Sequence, residues 1–267
     1  MAAGSAAGTT ALPAYFEFEA PRDWRAIDFI SDIHLAPTLP RTVDAWREHL
    51  LHTPADAVFI LGDLFEVWVG DDARCLPFEQ ECAEVLAEAA SRRSLAFMAG
   101  NRDFFVGSRL LRETGVMGLA DPTLLDAWGR RLLLTHGDAL CLEDTEYQGY
   151  RAQVRDPAWQ RDFLARPLAE RLAIAADIRQ RSASRQDEAA LYADVDAGAA
   201  VAWMHAIGSA ELVHGHTHRP GSETLAPGYK RHVLCDWDLD DAARPRAEVL
   251  RLTRDGFERV SPTAAGA

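Results

Sequence analysis

Cysteine is scarce and unpatterned: Cys75, Cys82, Cys141 and Cys235 form no C-x-x-C pair. Neither a zinc knuckle nor a disulfide framework is indicated, and the four are expected as reduced thiols of a cytosolic protein. Long hydrophobic runs are missing too. No stretch approaches the roughly 20 apolar residues that cross a bilayer, so any membrane contact is expected to be peripheral. Basic charge is short: 28 Lys and Arg face 41 Asp and Glu, a formal net charge of −13. Without a cationic excess there is little to release counterions along a phosphate backbone, which argues against nucleic acid as a partner. A protein this acidic that handles phosphate needs metal ions or a local basic patch. The opening MAAGSAAGTTALPAYFEFEAP has no basic segment and no long apolar run, so it reads as neither signal peptide nor anchor. Residues 1–25 are expected as a disordered or loosely ordered extension ahead of one domain at 26–267.

What is present is an alternation. Short apolar runs at 26–31, 57–61, 95–99 and 131–135 read as strands, with helical stretches at 42–51 and 78–91 between the first three, the pattern of βαβ units in an α/β domain. Each run ends in a polar cluster, and the carboxyl ends of strands are where open α/β sheets place ligands. From 144 to 207 the chain turns helix-favouring, with Trp159, Phe163, Leu164, Leu168 and Leu172 spaced as one amphipathic face, so a helical insertion over the core is expected. Beyond it come 211–213, the cluster HGHTHRP at 214–220, and β-like segments at 222–225, 232–236 and 247–252.

The chemistry-bearing residues follow the apolar runs. Asp32 and His34, two apart, can point the same way and offer an oxygen and a nitrogen to one cation. Asp63 offers a carboxylate able to bridge two ions, Asn101 an amide oxygen, and His136, His216 and His218 further nitrogens. This mixed oxygen and nitrogen set suits manganese, iron or zinc better than calcium or magnesium. Arg102 could neutralise charge on non-bridging phosphoryl oxygens, or pair with Asp103. Other residues have blander readings. His49, His52, His205 and His232 are expected on the surface or in packing, Asp71 and Asp72 as loop charges, and the acidic run at 236–241 as a solvated turn. Asp103 and Asp138 are either turn residues or partners of ligands.

Taken together and in order, DIH, GDLF, GNRD, THGD and HGHTH resemble the motifs of the calcineurin-like metallophosphoesterase superfamily. The resemblance implies a four-layer α/β/β/α sandwich with a helical lid. One metal would be held by Asp32, His34, Asp63 and His218, and a second by Asp63, Asn101, His136 and His216. Two such ions would activate water for in-line displacement at phosphorus without a side-chain nucleophile. The longer strings GDLFEVWVGDD, GNRDFFVG, GRRLLLTHGDALC and HGHTHRP look like the UDP-2,3-diacylglucosamine pyrophosphohydrolase family, over 26–220 and more loosely beyond.

That likeness implies a hydrolase of lipid A synthesis that attacks the α-phosphorus of a lipid-linked UDP-sugar. Its products are 2,3-diacylglucosamine 1-phosphate and UMP, and its cofactor two Mn2+. Catalytic roles would fall to Asp63, Asn101, Arg102 and His136, and substrate contacts to Asn101, Arg102, Asp144, Ser182, Gln186 and His216. Where the family carries Asn and then Lys after that serine, this chain has Gln186 and Ala189. Peripheral attachment to the cytoplasmic face of the bacterial inner membrane would follow, with Phe163, Leu164, Leu168 and Leu172 towards lipid, and Arg151, Arg155, Arg161, Arg166 and Arg171 meeting anionic head groups. The alternatives are a phosphoesterase of soluble diesters or nucleotides, and a scaffold without catalysis.

Overall fold

The computed structural model of the chain describes residues 11–186 and 193–263. The chain begins with β1 (Phe16–Glu19), β2 (Ala26–Ile30), α1 (Pro40–His52), β3 (Ala57–Leu61), α2 (Pro77–Ala90) and β4 (Ser94–Met98). It continues through α3 (Ser108–Thr114), β5 (Met117–Leu119), β6 (Thr123–Ala127) and β7 (Arg130–Leu134). Three helices follow, α4 (Thr145–Val154), α5 (Pro157–Leu164) and α6 (Leu168–Gln186), and then α7 (Ala197–Ala206). The last strands are β8 (Glu211–His214), β9 (Gly221–Ala226), β10 (Tyr229–Val233), β11 (Val249–Thr253) and β12 (Gly256–Val260).

These strands form two mixed six-stranded sheets, ordered β12-β11-β2-β3-β4-β5 and β1-β6-β7-β8-β10-β9. The alternation of side chains along a strand explains how they stack. Ile27, Phe29, Ala57, Phe59, Leu61, Ala96 and Met98 point from the first sheet to Leu125, Leu132, Leu134 and Val213 of the second, forming the inner core. Their neighbours Ile30, Val58, Ile60, Leu95 and Phe97 point the other way, onto α1 and α2. On the far side Leu124, Leu133 and Leu212 meet Ala199, Ala200, Trp203 and Met204 of α7. Three apolar layers between four structural layers give the expected α/β/β/α sandwich. Full burial of a side chain such as Phe59 contributes about 1.5–3 kcal/mol.

Three expectations change. The segment before residue 26 is not all extension: β1 pairs in parallel with β6, and Phe18 packs 5.8 Å from Phe59 and 5.9 Å from Trp24, closing the edge of the inner core. An edge strand of four residues carries too few alternating positions to register as a strand. The helical insertion is also shorter than 144–207. Its α7 packs on the outer face of the second sheet, where small alanines allow close approach, so among the described residues the cap consists of α4–α6.

The third change concerns the lid arginines. Arg151 pairs with buried Asp138 at 2.8 Å, Arg155 donates to the Gly100 carbonyl at 2.9 Å, and Arg171, itself buried, pairs with Asp72 at 2.9 Å. These three fasten the cap to the core instead of facing a membrane. An apolar contact does the same: Phe163 is buried and stacked on Phe105 at 4.7 Å. Leu164 remains exposed, while Leu168 and Leu172 are partly buried against the core. Among the described residues no helix is long and apolar enough to cross a membrane.

Candidate metal centre

The ends of β2, β3 and β4 in one sheet and of β7 and β8 in the other converge on a single rim, where all seven expected ligands stand. Their backbone is unusual. Of the six non-glycine residues with positive φ among those described, five are Asp32, His34, Asp63, His216 and His218, at 51° to 66°. Each such residue costs about 1–3 kcal/mol and persists only where its surroundings hold it. Repeating the conformation at i and i+2 turns both side chains of Asp32/His34, and of His216/His218, into the same space. Glycines make the room: a Cβ on Gly100 would lie 2.1 Å from Asp63 Oδ1, and one on Gly215 would lie 2.3 Å from Asp32 Oδ2.

Ligand atoms of Asp32, His34 and His218 lie within 4.8 Å of one another, as do those of Asp32, Asp63 and His136. Asp32 is common to both groups, whereas the family resemblance gives the bridging role to Asp63. Asn101 Oδ1 sits 2.8 Å from His136 Nε2 and 2.9 Å from His216 Nδ1. With His136 Nδ1 against the Leu61 carbonyl at 2.9 Å, a neutral ring presents a bare Nε2 to the amide oxygen. Two electron-rich atoms at that distance need a proton or a cation between them, and a cation would serve His136, Asn101 and Asp63 together. His34 Nε2 and His218 Nε2 likewise face each other at 3.4 Å. The donors fit a pair of divalent ions.

Charges agree with this reading. Burial works to raise the Asp32 carboxyl, but hydrogen bonding to His218 and the charges of His218, His136 and His34 outweigh it and hold the group far below the usual range. Burial would lower His136; Asp63, Asp32 and Asp138 raise it instead, to about 9. His216, buried beside His136, drops to about 4. Of these three groups only His136 holds a proton at neutral pH, and a cation bound at its Nε2 would take that proton's place.

Residues the sequence left undecided now have tasks. Buried Asp103 accepts the backbone N–H groups of Leu64 at 2.8 Å and Gly100 at 2.8 Å, tying the β3 and β4 loops together. Arg102 does not pair with it; its backbone N–H donates to Asp63 Oδ1 at 2.8 Å and its guanidinium lies 3.8 Å from Glu66. Asp138 accepts from Tyr147 Oη at 2.6 Å, and the Tyr147 ring lies 5.8 Å from that of His216, so α4 walls the site. Asp144 caps α4 by accepting the Tyr147 N–H at 2.9 Å. Ser182 and Gln186 lie on α6, but their side chains, like the whole of Ala189, fall outside the described residues.

Asp236, expected in a solvated turn, is buried, paired with Arg246, and 3.5 Å from His218 Nδ1. Glu66, which drew no attention in the sequence, lies 3.0 Å from His34 Nδ1; its place three residues after Asp63 was the available signal. The thiols of Cys82, Cys141 and Cys235 are buried and pushed up to about 12, unsuited to nucleophilic work.

Residues 26–220 match the family model described as calcineurin-like phosphoesterase. A protein of Xanthomonas axonopodis pv. citri named UDP-2,3-diacylglucosamine hydrolase is 42% identical over 241 residues, covering 85% of this chain and 95% of its own. One of the same name from Chromobacterium violaceum is 42% identical over 221 residues, covering 79% and 90%. Among solved structures, an archaeal phosphodiesterase aligns over 88% of this chain and 98% of its own, with a TM-score of 0.41 and 13% identity.

Proposed function

This chain belongs to the calcineurin-like phosphoesterase family, and on that premise we propose that it hydrolyses the pyrophosphate bond of UDP-2,3-diacylglucosamine in lipid A synthesis. The products are 2,3-diacylglucosamine 1-phosphate and UMP. The observation that carries this reading is identity of 42% to a relative named for that substrate, running through 95% of the relative and so through the cap as well as the metal blocks.

Bound divalent ions, Mn2+ on the mixed donor set, supply Lewis-acid polarisation of the phosphoryl oxygens and activation of water. Asp32, His34, Asp63 and His218 would hold one ion and Asp63, Asn101, His136 and His216 the other, with Asp32 and Asp63 both buried between them. Arg102 is placed to grip non-bridging oxygens, since its backbone is fixed to Asp63 while its guanidinium stays partly exposed. Tyr147 and α4 cover the His216 side. Asp144, Ser182 and Gln186 are proposed to meet the UDP-sugar from the cap. Acyl chains that reside in the membrane would bring the protein to the cytoplasmic face of the inner membrane, where exposed Leu164 offers an apolar contact.

The test is UMP release from UDP-2,3-diacylglucosamine by purified protein with Mn2+, beside turnover of bis-p-nitrophenyl phosphate. Release that exceeds turnover of the soluble diester, and that disappears on chelation and in His34→Ala, is expected. Turnover of the soluble diester alone would replace the lipid reading with that of a general phosphodiesterase.

A further inference from the structure

The loops that leave β2 and β3 run side by side beyond their sheet. His34 N–H donates to the Asp63 carbonyl at 3.0 Å, Leu35 N–H to the Leu64 carbonyl at 2.9 Å, and Glu66 N–H back to the Leu35 carbonyl at 3.2 Å. This ladder fixes Glu66 beside His34 by backbone bonds, independently of its side chain. The carboxylate then divides. One oxygen, Oε2, lies 3.0 Å from His34 Nδ1, a close contact bent away from a linear hydrogen bond; the other, Oε1, lies 3.8 Å from Arg102 Nη1. All three side chains are partly screened from solvent, at 15% to 22% exposure, so the carboxylate acts in a lower dielectric than a surface pair would.

We propose that Glu66 is a positioning residue that joins the two halves of the site. One oxygen orients His34 so that its Nε2 faces the metal, and the other holds the Arg102 guanidinium over the phosphoryl group. A carboxylate on the far nitrogen of a ligating imidazole fixes its tautomer and raises its basicity, and losing one typically weakens metal binding by about 10–100-fold. The second oxygen adds a link to the substrate side. Removing Glu66 therefore alters both metal affinity and substrate grip, whereas removing Arg102 alters only the latter. The inference rests on the metallophosphoesterase reading but not on the identity of the ester.

The experiment is calorimetric titration of Mn2+ into EDTA-dialysed full-length protein, for wild type, Glu66→Gln, Glu66→Asp and Arg102→Ala, with thermal melts in EDTA and KM for the ester at saturating Mn2+. Glu66→Gln and Glu66→Asp are expected to bind Mn2+ about tenfold or more weakly, with melts in EDTA matching wild type. Arg102→Ala should keep wild-type Mn2+ affinity while raising KM. In the double variant Glu66→Gln/Arg102→Ala, the rise in KM should fall short of the product of the two single effects. Mn2+ affinity in both Glu66 variants within threefold of wild type would overturn the proposal, as would independent, multiplying effects on KM. A wild-type protein that takes up none of Mn2+, Fe2+ or Zn2+ would sink the two-metal reading and this inference with it.

Discussion

The metal rim and the helical cap meet the same space by different means. The rim is built from backbone: five of the expected ligands held at positive φ, glycines at the closest approaches, and Asp103 tying two loops together through their N–H groups. The cap is held by side chains, chiefly the Phe163–Phe105 stack and the Arg151–Asp138 and Arg171–Asp72 pairs. Backbone geometry admits almost no adjustment, as chemistry at phosphorus requires. Side-chain fastenings can be exchanged singly. The difference teaches that the cap can be altered without disturbing the backbone that shapes the rim, so that, on the proposed function, reaction and specificity should respond to different substitutions.

Substitutions should expose that separation. Asp63→Ala is expected to cut UMP release on the order of 10³-fold and turnover of a soluble diester equally, because both need the rim; a loss confined to one substrate would break the comparison. Gly100→Ala should cost roughly 10²-fold on both, since its Cβ would lie 2.1 Å from Asp63 Oδ1. A circular dichroism spectrum unchanged from wild type would locate that damage in ligand placement.

Phe163→Ala acts on the other side. It should destabilise the docked cap by about 3 kcal/mol and raise KM for the lipid substrate several-fold, leaving the soluble diester nearly untouched; steady-state kinetics on both substrates would show it. The smallest effect lies behind the rim. Asp28 is buried on β2, 2.7 Å from Arg251 Nε and 2.6 Å from Thr53 Oγ1. Burial opposes its charge, but the bonds from Arg251 and the nearby His49 imidazole, 3.3 Å away, prevail and hold the carboxyl at about 2. The folded value lies below the unfolded one, so the pair stabilises the fold above about pH 4 and that contribution fades as pH falls through about 2. It amounts to roughly 2 kcal/mol. Urea melts from pH 5 to 2 should show a shallower decline in Asp28→Asn.

The rim was legible because its parts are contiguous. Asp32 and His136 follow an apolar run directly and Asp63 and Asn101 after one glycine, and a short buried run plus a terminal polar residue is readable within a few positions. The cap's far boundary was not: the alanines that let α7 pack on a sheet look, in sequence, like those of any helix. Asp236 was hidden beside three further aspartates, Asp238, Asp240 and Asp241, and only its pairing with Arg246 and approach to His218 set it apart.

Helix starts show where the division falls. α1 and α3 have no capping side chain of their own. Asp240 accepts from Thr42 N–H at 2.9 Å across 198 positions, and Asp71 from Leu110 N–H at 3.0 Å across 39. An exposed helix end must find an acceptor somewhere, and no local rule says where. The sequence by itself determined the central strands that carry the rim, the expected donor types and their order, because these depend on short apolar runs and on donor chemistry carried by each residue. The tertiary structure alone decided how near Asp32 and Asp63 stand to each other, which aspartate caps α1 and α3, and which glutamate stands behind His34. Those are matters of distance between segments that meet only when two sheets stack.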